Sequence, residues 1–232
     1  MIGVGRRLLH SPAWLMPWDE FHRRHVAARL VVELDRWDGA AWQPTGVAPV
    51  VTPSGVVAYP GLGRRREPWT AEPVLYRARF AAPGLRPMYP ADDEPFDAAK
   101  VGREFLAYPF DDDRPPRIAA EPETVRLLPG PAFAFPPGLP VVHGVVRRAG
   151  TGAPVANALV ETAGTADGGL RGWRERVLGD ETGAFRLPLR WLAGTPGELV
   201  TLTATERPGR TGQAELRLPE DAALSHPIEI SE

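Results

Sequence analysis

From Val26 onward the apolar positions recur with a period close to two, the signature of half-buried β-strands. The run Ala28–Asp35 is rich in β-forming residues and stops at Asp38-Gly39, a turn signal. Val56–Tyr59, Val74–Phe80 and Glu104–Phe110 alternate in the same way. Further along, Val141–Arg147, Ala156–Thr162, Trp173–Leu178, Ala184–Leu189, Glu198–Glu206, Thr211–Leu218 and Pro227–Ile230 predict seven short strands. Trp173–Leu178 and Ala184–Leu189 are expected to pair as a hairpin about Asp180-Glu181-Thr182-Gly183, and Glu198–Glu206 with Thr211–Leu218 as another. Many short strands with regular turn signals suit a sandwich rather than a helical or α/β domain.

The pattern also repeats. Thr52-Pro53-Ser54-Gly55-Val56-Val57-Ala58-Tyr59-Pro60 is followed by Tyr76–Phe80 and Pro83-Gly84; Glu181-Thr182-Gly183-Ala184-Phe185-Arg186-Leu187-Pro188 is followed by Thr201–Glu206 and Pro208-Gly209. In each copy a turn glycine opens an alternating segment that ends at a proline. A second alternating strand then runs into a Pro-Gly turn. A repeated unit implies a repeated fold, here two small β-sandwiches in tandem.

Two stretches break the alternation. Residues 1–26 hold Trp14, Leu15, Trp18 and Phe21 among prolines, with Asp19–His25 able to form one short turn or helix. These aromatics either cover the first sandwich or form an arm that docks on a partner, the latter because Trp is enriched among interface anchors. Residues 84–100 are rich in proline and acid, and Pro87, Pro90 and Pro95 exclude a central strand. Residues 111–140 hold eight prolines, interrupted by Val125–Leu128 and Phe133–Phe135, which predicts a stiff, extended connector packed on its neighbours. The expected division is therefore an N-terminal arm (1–26), a first sandwich (27–110), a connector (111–138) and a second sandwich (139–232).

Composition narrows the classes. The net charge of −2, with both signs interspersed, lacks the basic stripe that nucleic-acid binding needs. Basic residues are almost all Arg, Lys100 being the sole lysine, which reflects codon bias better than heat adaptation, since lysine is lost rather than enriched. With no cysteine, neither disulfides nor thiolate metal sites contribute. No stretch approaches the ~20 apolar residues of a membrane helix. The start of the chain, Arg6-Arg7-Leu8-Leu9-His10-Ser11-Pro12, is not a signal-peptide core. Synthesis in the cytoplasm is expected, with incorporation into a particle or action outside the cell left open.

In the second half, Val142-His143-Gly144-Val145-Val146, Pro154-Val155-Ala156-Asn157-Ala158-Leu159-Val160 and Asp180-Glu181-Thr182-Gly183-Ala184-Phe185 fall in succession on predicted strands. This series resembles the carboxypeptidase regulatory-like (transthyretin-like) domain family over residues 139–232. The first domain resembles it less, keeping Gly55, Tyr76–Phe80 and Pro83-Gly84 but lacking the Pro154–Val160 element. The resemblance implies an all-β chain of two tandem Greek-key (immunoglobulin- or transthyretin-like) sandwiches, modules that are usually structural or accessory rather than catalytic. Fold alone licenses no function.

The chemistry-bearing residues are sparse. His22-x-x-His25 presents two imidazoles, but no third ligand stands at a familiar spacing, and no metal is expected there. Asp92-Asp93-Glu94 and Asp111-Asp112-Asp113 lack the Asp-x-Asp-x-Asp-Gly order of an EF-hand and read as solvated loops. None of the serines (11, 54, 225, 231) lies in a Gly-x-Ser-x-Gly elbow, and Gly61-Leu62-Gly63 has no following Lys-Ser/Thr. The tyrosines and histidines show no motif that would join them as the iron ligands of an intradiol dioxygenase. No catalytic residue, metal or cofactor is assigned.

Three functions fit. The first is a non-enzymatic structural or adaptor protein of a larger assembly, such as a phage-tail-like or contractile-injection particle. It would bind other protein subunits through Trp14, Trp18 and Phe21. The second is a carbohydrate- or peptide-binding module using Trp69, Trp173 and Trp191 as platforms beside the cationic loop Arg64, Arg65 and Arg66. The third is a hydrolase or metal-dependent oxygenase on a sandwich scaffold. Nucleic acid and membrane insertion are not expected.

Overall fold

A computed structural model describes residues 10–26, 29–64, 72–90, 94–114, 116, 121–166, 171–190 and 198–231. The protein is all-β: the described residues form strands, turns and bends, with no helix. Its chain divides into two compact units, Met1–Ala82 with Gly102–Arg126, and Pro83–Val101 with Leu127–Glu232.

The first unit opens with β1 (Trp14–Asp19), on which β2 (Arg24–His25) folds back through the turn at residues 20–23. Residues 14–19, set apart in the sequence as the core of an arm, are thus a sheet strand. The reason is their strict alternation: Leu15, Pro17 and Asp19 are buried while Trp14, Met16 and Trp18 stay half-buried. Pro17 falls between the pairing of β1 with β6, at Trp14 and Leu15, and that with β2, at Trp18 and Asp19. The unit continues with β3 (Val31–Trp37), β4 (Trp42–Pro44), β5 (Val50–Val51), β6 (Val57–Ala58) and β7 (Val74–Ala81). After β8 (Leu85–Met88), which belongs to the second unit, come β9 (Arg103–Ala107) and β10 (Pro122–Pro129), of which the residues up to Arg126 belong to this unit. One sheet runs β4-β3-β7-β9; in the other, β5, β6, β1 and β10 are successive neighbours. β3 and β7 pair antiparallel with Leu34 opposite Ala78 and Val32 opposite Phe80, so one face of this sheet carries the core. Tyr59 stacks on Phe105 and Phe105 on Tyr76, with centroids 5.9 and 6.0 Å apart.

The second unit is a sandwich built by β11 (Val141–Arg148), β12 (Leu159–Ala166), β13 (Arg171–Leu178), β14 (Ala184–Pro188), β15 (Glu198–Arg207), β16 (Arg210–Leu218) and β17 (Ser225–Ile230). Its sheets are β14-β11-β17 and β13-β12-β15-β16. Val142, Val146, Val160, Val177, Phe185, Leu187, Leu202, Leu216, Ile228 and Ile230 form the buried core. Full burial of each large side chain contributes about 1.5–3 kcal/mol.

β15 and β16 pair as the expected hairpin, in register from Glu198↔Leu218 to Thr205↔Thr211, with a shift of register before Arg207↔Arg210. The other expected hairpin does not form: β13 pairs with β12, while β14 crosses to β11 in the opposite sheet. The connection explains it. Asp180 Oδ1 accepts from the Thr182 N–H (2.9 Å) and the Ala184 N–H (3.1 Å), closing a tight turn. Gly183, at φ +76°, lies so near the Val146 carbonyl that a Cβ would meet it at 2.4 Å, carrying the chain to the other sheet.

Segments 83–101 and 127–140 cover this sandwich. Met88 and Leu128, with Phe96 beside them, bury Leu159 and Leu178 in a small second core. Arg86 donates to Asn157 Oδ1 and to Glu181 Oε1 (2.7 Å), and Arg186 donates to the carbonyls of Pro131 (3.1 Å) and Phe133 (3.2 Å). β8 lies beside β10 at the end of a sheet, the position in which Pro87 is tolerated.

Candidate functional site

The described sequence-derived candidates fall on separate elements. Phe21 is buried in the first unit, whereas Trp14 and Trp18 share the half-buried face of β1 and Trp18 meets the His25 ring edge-on at 5.1 Å. His22 closes its turn, its N–H donating to Asp19 Oδ1 (2.9 Å) and its Nδ1 lying 2.7 Å from Oδ2. Arg64 pairs with Asp112, and Asp111 Oδ1 accepts from the N–H groups of Asp113 (3.0 Å) and Arg114 (2.7 Å). These two carboxylates of the acidic run therefore serve an ion pair and a turn. Trp69, Trp191, Arg65, Arg66, Asp92 and Asp93 lie outside the described residues.

Trp173 is half-buried on β13, directly across from Gly164 of β12. A Cβ at Gly164 would meet the indole at 2.6 Å, so the ring lies against bare backbone, an arrangement open only to glycine. Two positions on, on the same face, Glu175 is buried and binds Arg190 through two bonds, Nε to Oε1 (2.7 Å) and Nη2 to Oε2 (2.8 Å).

The richest constellation lies on the sheet β4-β3-β7-β9, on the face opposite Leu34, Ala78 and Phe80. Alternation sends Glu33, Asp35 and Trp37 of β3, and Leu75, Arg77 and Arg79 of β7, to that side. Register then aligns them: Trp37 faces Trp42, Asp35 faces Arg77, Glu33 faces Arg79, Arg77 faces Glu104 and Leu75 faces Leu106. Asp35, whose side chain is only 3% exposed, accepts from Arg77 Nε (3.2 Å) and Nη2 (2.8 Å) and from Arg79 Nε (2.8 Å) and Nη2 (3.1 Å). Arg79 also reaches Glu33 at 2.8 Å. The hydrogen bonds from Arg79, then those from Arg77 with both charges, hold the Asp35 carboxyl below the usual carboxylate range against the opposing effect of burial.

Aromatic groups extend this network. The Arg77 guanidinium lies 4.4 Å over the Trp42 ring, and Trp42 meets Trp37 at 5.3 Å with a tilt of 59°. Both indoles are half-buried, and Leu106 is 42% exposed. The β3–β4 turn is rigid: Asp38 accepts from the N–H groups of Ala40 and Ala41 and from Gln43 Nε2 (3.0 Å). None of these residues was singled out from the sequence. The available signal was the charged i, i+2 spacing Glu33-x-Asp35 and Arg77-x-Arg79 on two strands. It could not be used until the register put the strands side by side.

Among the described residues no group of three His, Asp or Glu side chains is arranged to hold a metal ion. No described helix is long and apolar enough to cross a membrane.

No protein-family profile matches the chain, and no curated protein does. Solved structures with partial likeness include the Bacillus anthracis TIE protein (11% identity, TM-score 0.28), covering 97% of this chain and 34% of that one. A streptococcal ancillary pilin (10% identity, TM-score 0.30) covers 98% of this chain and 63% of its own. BcpA, the major pilin subunit of Bacillus cereus (12% identity, TM-score 0.31), covers 97% and 69%. This chain thus spans about a third of the first and less than two thirds of the second. TM-scores this low do not establish a shared fold, and the architecture rests on the strands and sheets themselves.

Proposed function

We propose that the protein is a non-catalytic structural or adaptor subunit of a larger assembly. The observation that supports this reading is the use made of its buried carboxylates. Asp35 is tied to two guanidiniums, Glu175 to Arg190, and Asp19 to the backbone and ring of His22. Groups poised for general acid–base work have environments that push their pKa values toward neutrality. The shifted carboxyls here (Asp35, Asp38, Asp180, Glu181) all move down, away from it. Such charges hold strands and turns in place. The membership of residues 139–232 in the carboxypeptidase regulatory-like family, whose modules are usually non-catalytic, belongs to the same proposal.

Trp14 and Trp18, with Met16 between them, are the docking residues of this reading; Phe21 is spent on the core. A phage-tail-like or contractile-injection particle is one form the assembly could take, and no described residue singles it out. Sedimentation of the native protein in lysate of its source tests the proposal. The expected result is co-sedimentation with a particle in the megadalton range, reduced by Trp14→Ala or Trp18→Ala in a chain that still folds. A free species at monomer mass overturns it.

A further inference from the structure

We infer that the exposed face of the β4-β3-β7-β9 sheet binds a neutral oligosaccharide packed against Trp37 and Trp42. This site goes beyond a scaffold role and stands independently of it.

The first argument is the pair of indoles. They are half-buried at one end of the face, and Leu75 and Leu106 continue the apolar strip toward the other. The C–H side of a pyranose is apolar and flat, and an indole offers it a large surface at little cost in conformational entropy. Four strands spaced about 4.8 Å apart give a strip roughly 14 Å wide, enough for a short chain of sugars rather than one ring.

The second is pre-organisation. Arg77 is held between Asp35 and the Trp42 ring, and Arg79 between Asp35 and Glu33. The Asp38 turn, closed by the Ala40 and Ala41 N–H groups, fixes the end of the hairpin that carries Trp37 and Trp42. A ligand meeting these groups need not order them, and that saving is what lets a small contact area bind.

The third argument is charge. Arg77 and Arg79 are matched by Asp35 and Glu33, and Glu104, across from Arg77 on β9, leaves the face with one negative charge in excess. Nothing remains to attract sulfate, phosphate or uronate. A folded protein laid on this face would strip water from the exposed Glu33 and Glu104 carboxylates. Sugar hydroxyls instead donate hydrogen bonds to carboxylates and leave them partly hydrated.

The test uses the full chain, which has seven tryptophans and hence seven indole N–H resonances in a 1H–15N spectrum. Cellohexaose, maltohexaose and N-acetylchitohexaose are titrated, with a heparin hexasaccharide as the charged comparison. The expected result is that at least one neutral hexasaccharide shifts two indole resonances, which Trp37→Phe and Trp42→Phe assign. Calorimetry should then give binding that weakens at least roughly tenfold in Trp42→Ala, holds in Trp173→Ala, and changes less than about twofold on raising salt from ~50 to ~500 mM.

Several outcomes overturn the inference: no shift at roughly 10 mM of any neutral sugar, shifts confined to other indoles, or preference for heparin with steep salt dependence. Co-sedimentation lost in Trp42→Ala without any sugar-induced shift also overturns it and makes the face a protein contact. Should Trp42→Ala not fold, the indole shifts of the unsubstituted chain decide the matter alone. A failed sedimentation experiment leaves this site untouched, so the two readings fall separately.

Discussion

Asp35 shows how one residue couples sheet register to stability. Its side chain is buried, and its charge is tolerable only because β7 presents Arg77 and Arg79 beside it. Removing one partner of such a cluster leaves the other charges uncompensated, so Asp35→Ala is expected to cost about 3 kcal/mol in chemical denaturation. The pH dependence has a definite sign. The folded-state pKa lies below the unfolded value, so the contribution is present above about pH 4 and is lost as pH falls through the folded value. Asp35→Asn should therefore flatten the acid limb of a melting-temperature profile between roughly pH 2 and 5. Tyr59 makes the opposite case. It is buried, its hydroxyl has no hydrogen-bond partner among the described residues, and burial pushes its ionisation upward. An unsatisfied buried hydroxyl costs about 1–3 kcal/mol, so Tyr59→Phe should raise stability by about 1 kcal/mol. In alkaline absorbance titrations, one of the four tyrosines should stay protonated until the chain unfolds.

Among the elements, β11 is closely constrained. It pairs antiparallel with β14 on one side and parallel with β17 on the other. At Gly144 these neighbours close in: a Cβ would meet the His226 carbonyl oxygen at 2.0 Å and the Phe185 ring at 2.8 Å. The first contact is with backbone and has no rotamer to yield. Gly144→Ala is expected to destabilise the second unit by about 3 kcal/mol or more, read as a lowered denaturant midpoint. β5 illustrates how an edge is guarded. Val50 and Val51 are 52% and 45% exposed, yet Pro49 just before them withholds an N–H and limits what could pair there.

For the whole molecule, the division into units crosses the chain three times, after residues 82, 101 and 126. Residues 83–101 and 127–138 supply Met88, Phe96 and Leu128 to the small core over Leu159 and Leu178. A fragment of residues 139–232 lacks them. It should bind a hydrophobic dye more strongly than the full chain and melt at lower temperature; equal behaviour would mean that this second core contributes little. The all-β class, the turn glycines of the repeat (Gly55 and Gly183, Gly84 and Gly209, all at positive φ) and the β15–β16 hairpin were legible in the sequence. Each depends on local rules: period, φ > 0 and turn length. The strand at Trp14–Asp19 was passed over because Pro17 and the aromatics masked its alternation. The crossing of β14 to the far sheet and the clustering of Asp35, Arg77, Arg79, Trp37 and Trp42 were decided by tertiary structure alone. Which strands become neighbours, and in what register, depends on contacts distant in sequence, and a shift of one residue would have sent every one of those side chains to the opposite face.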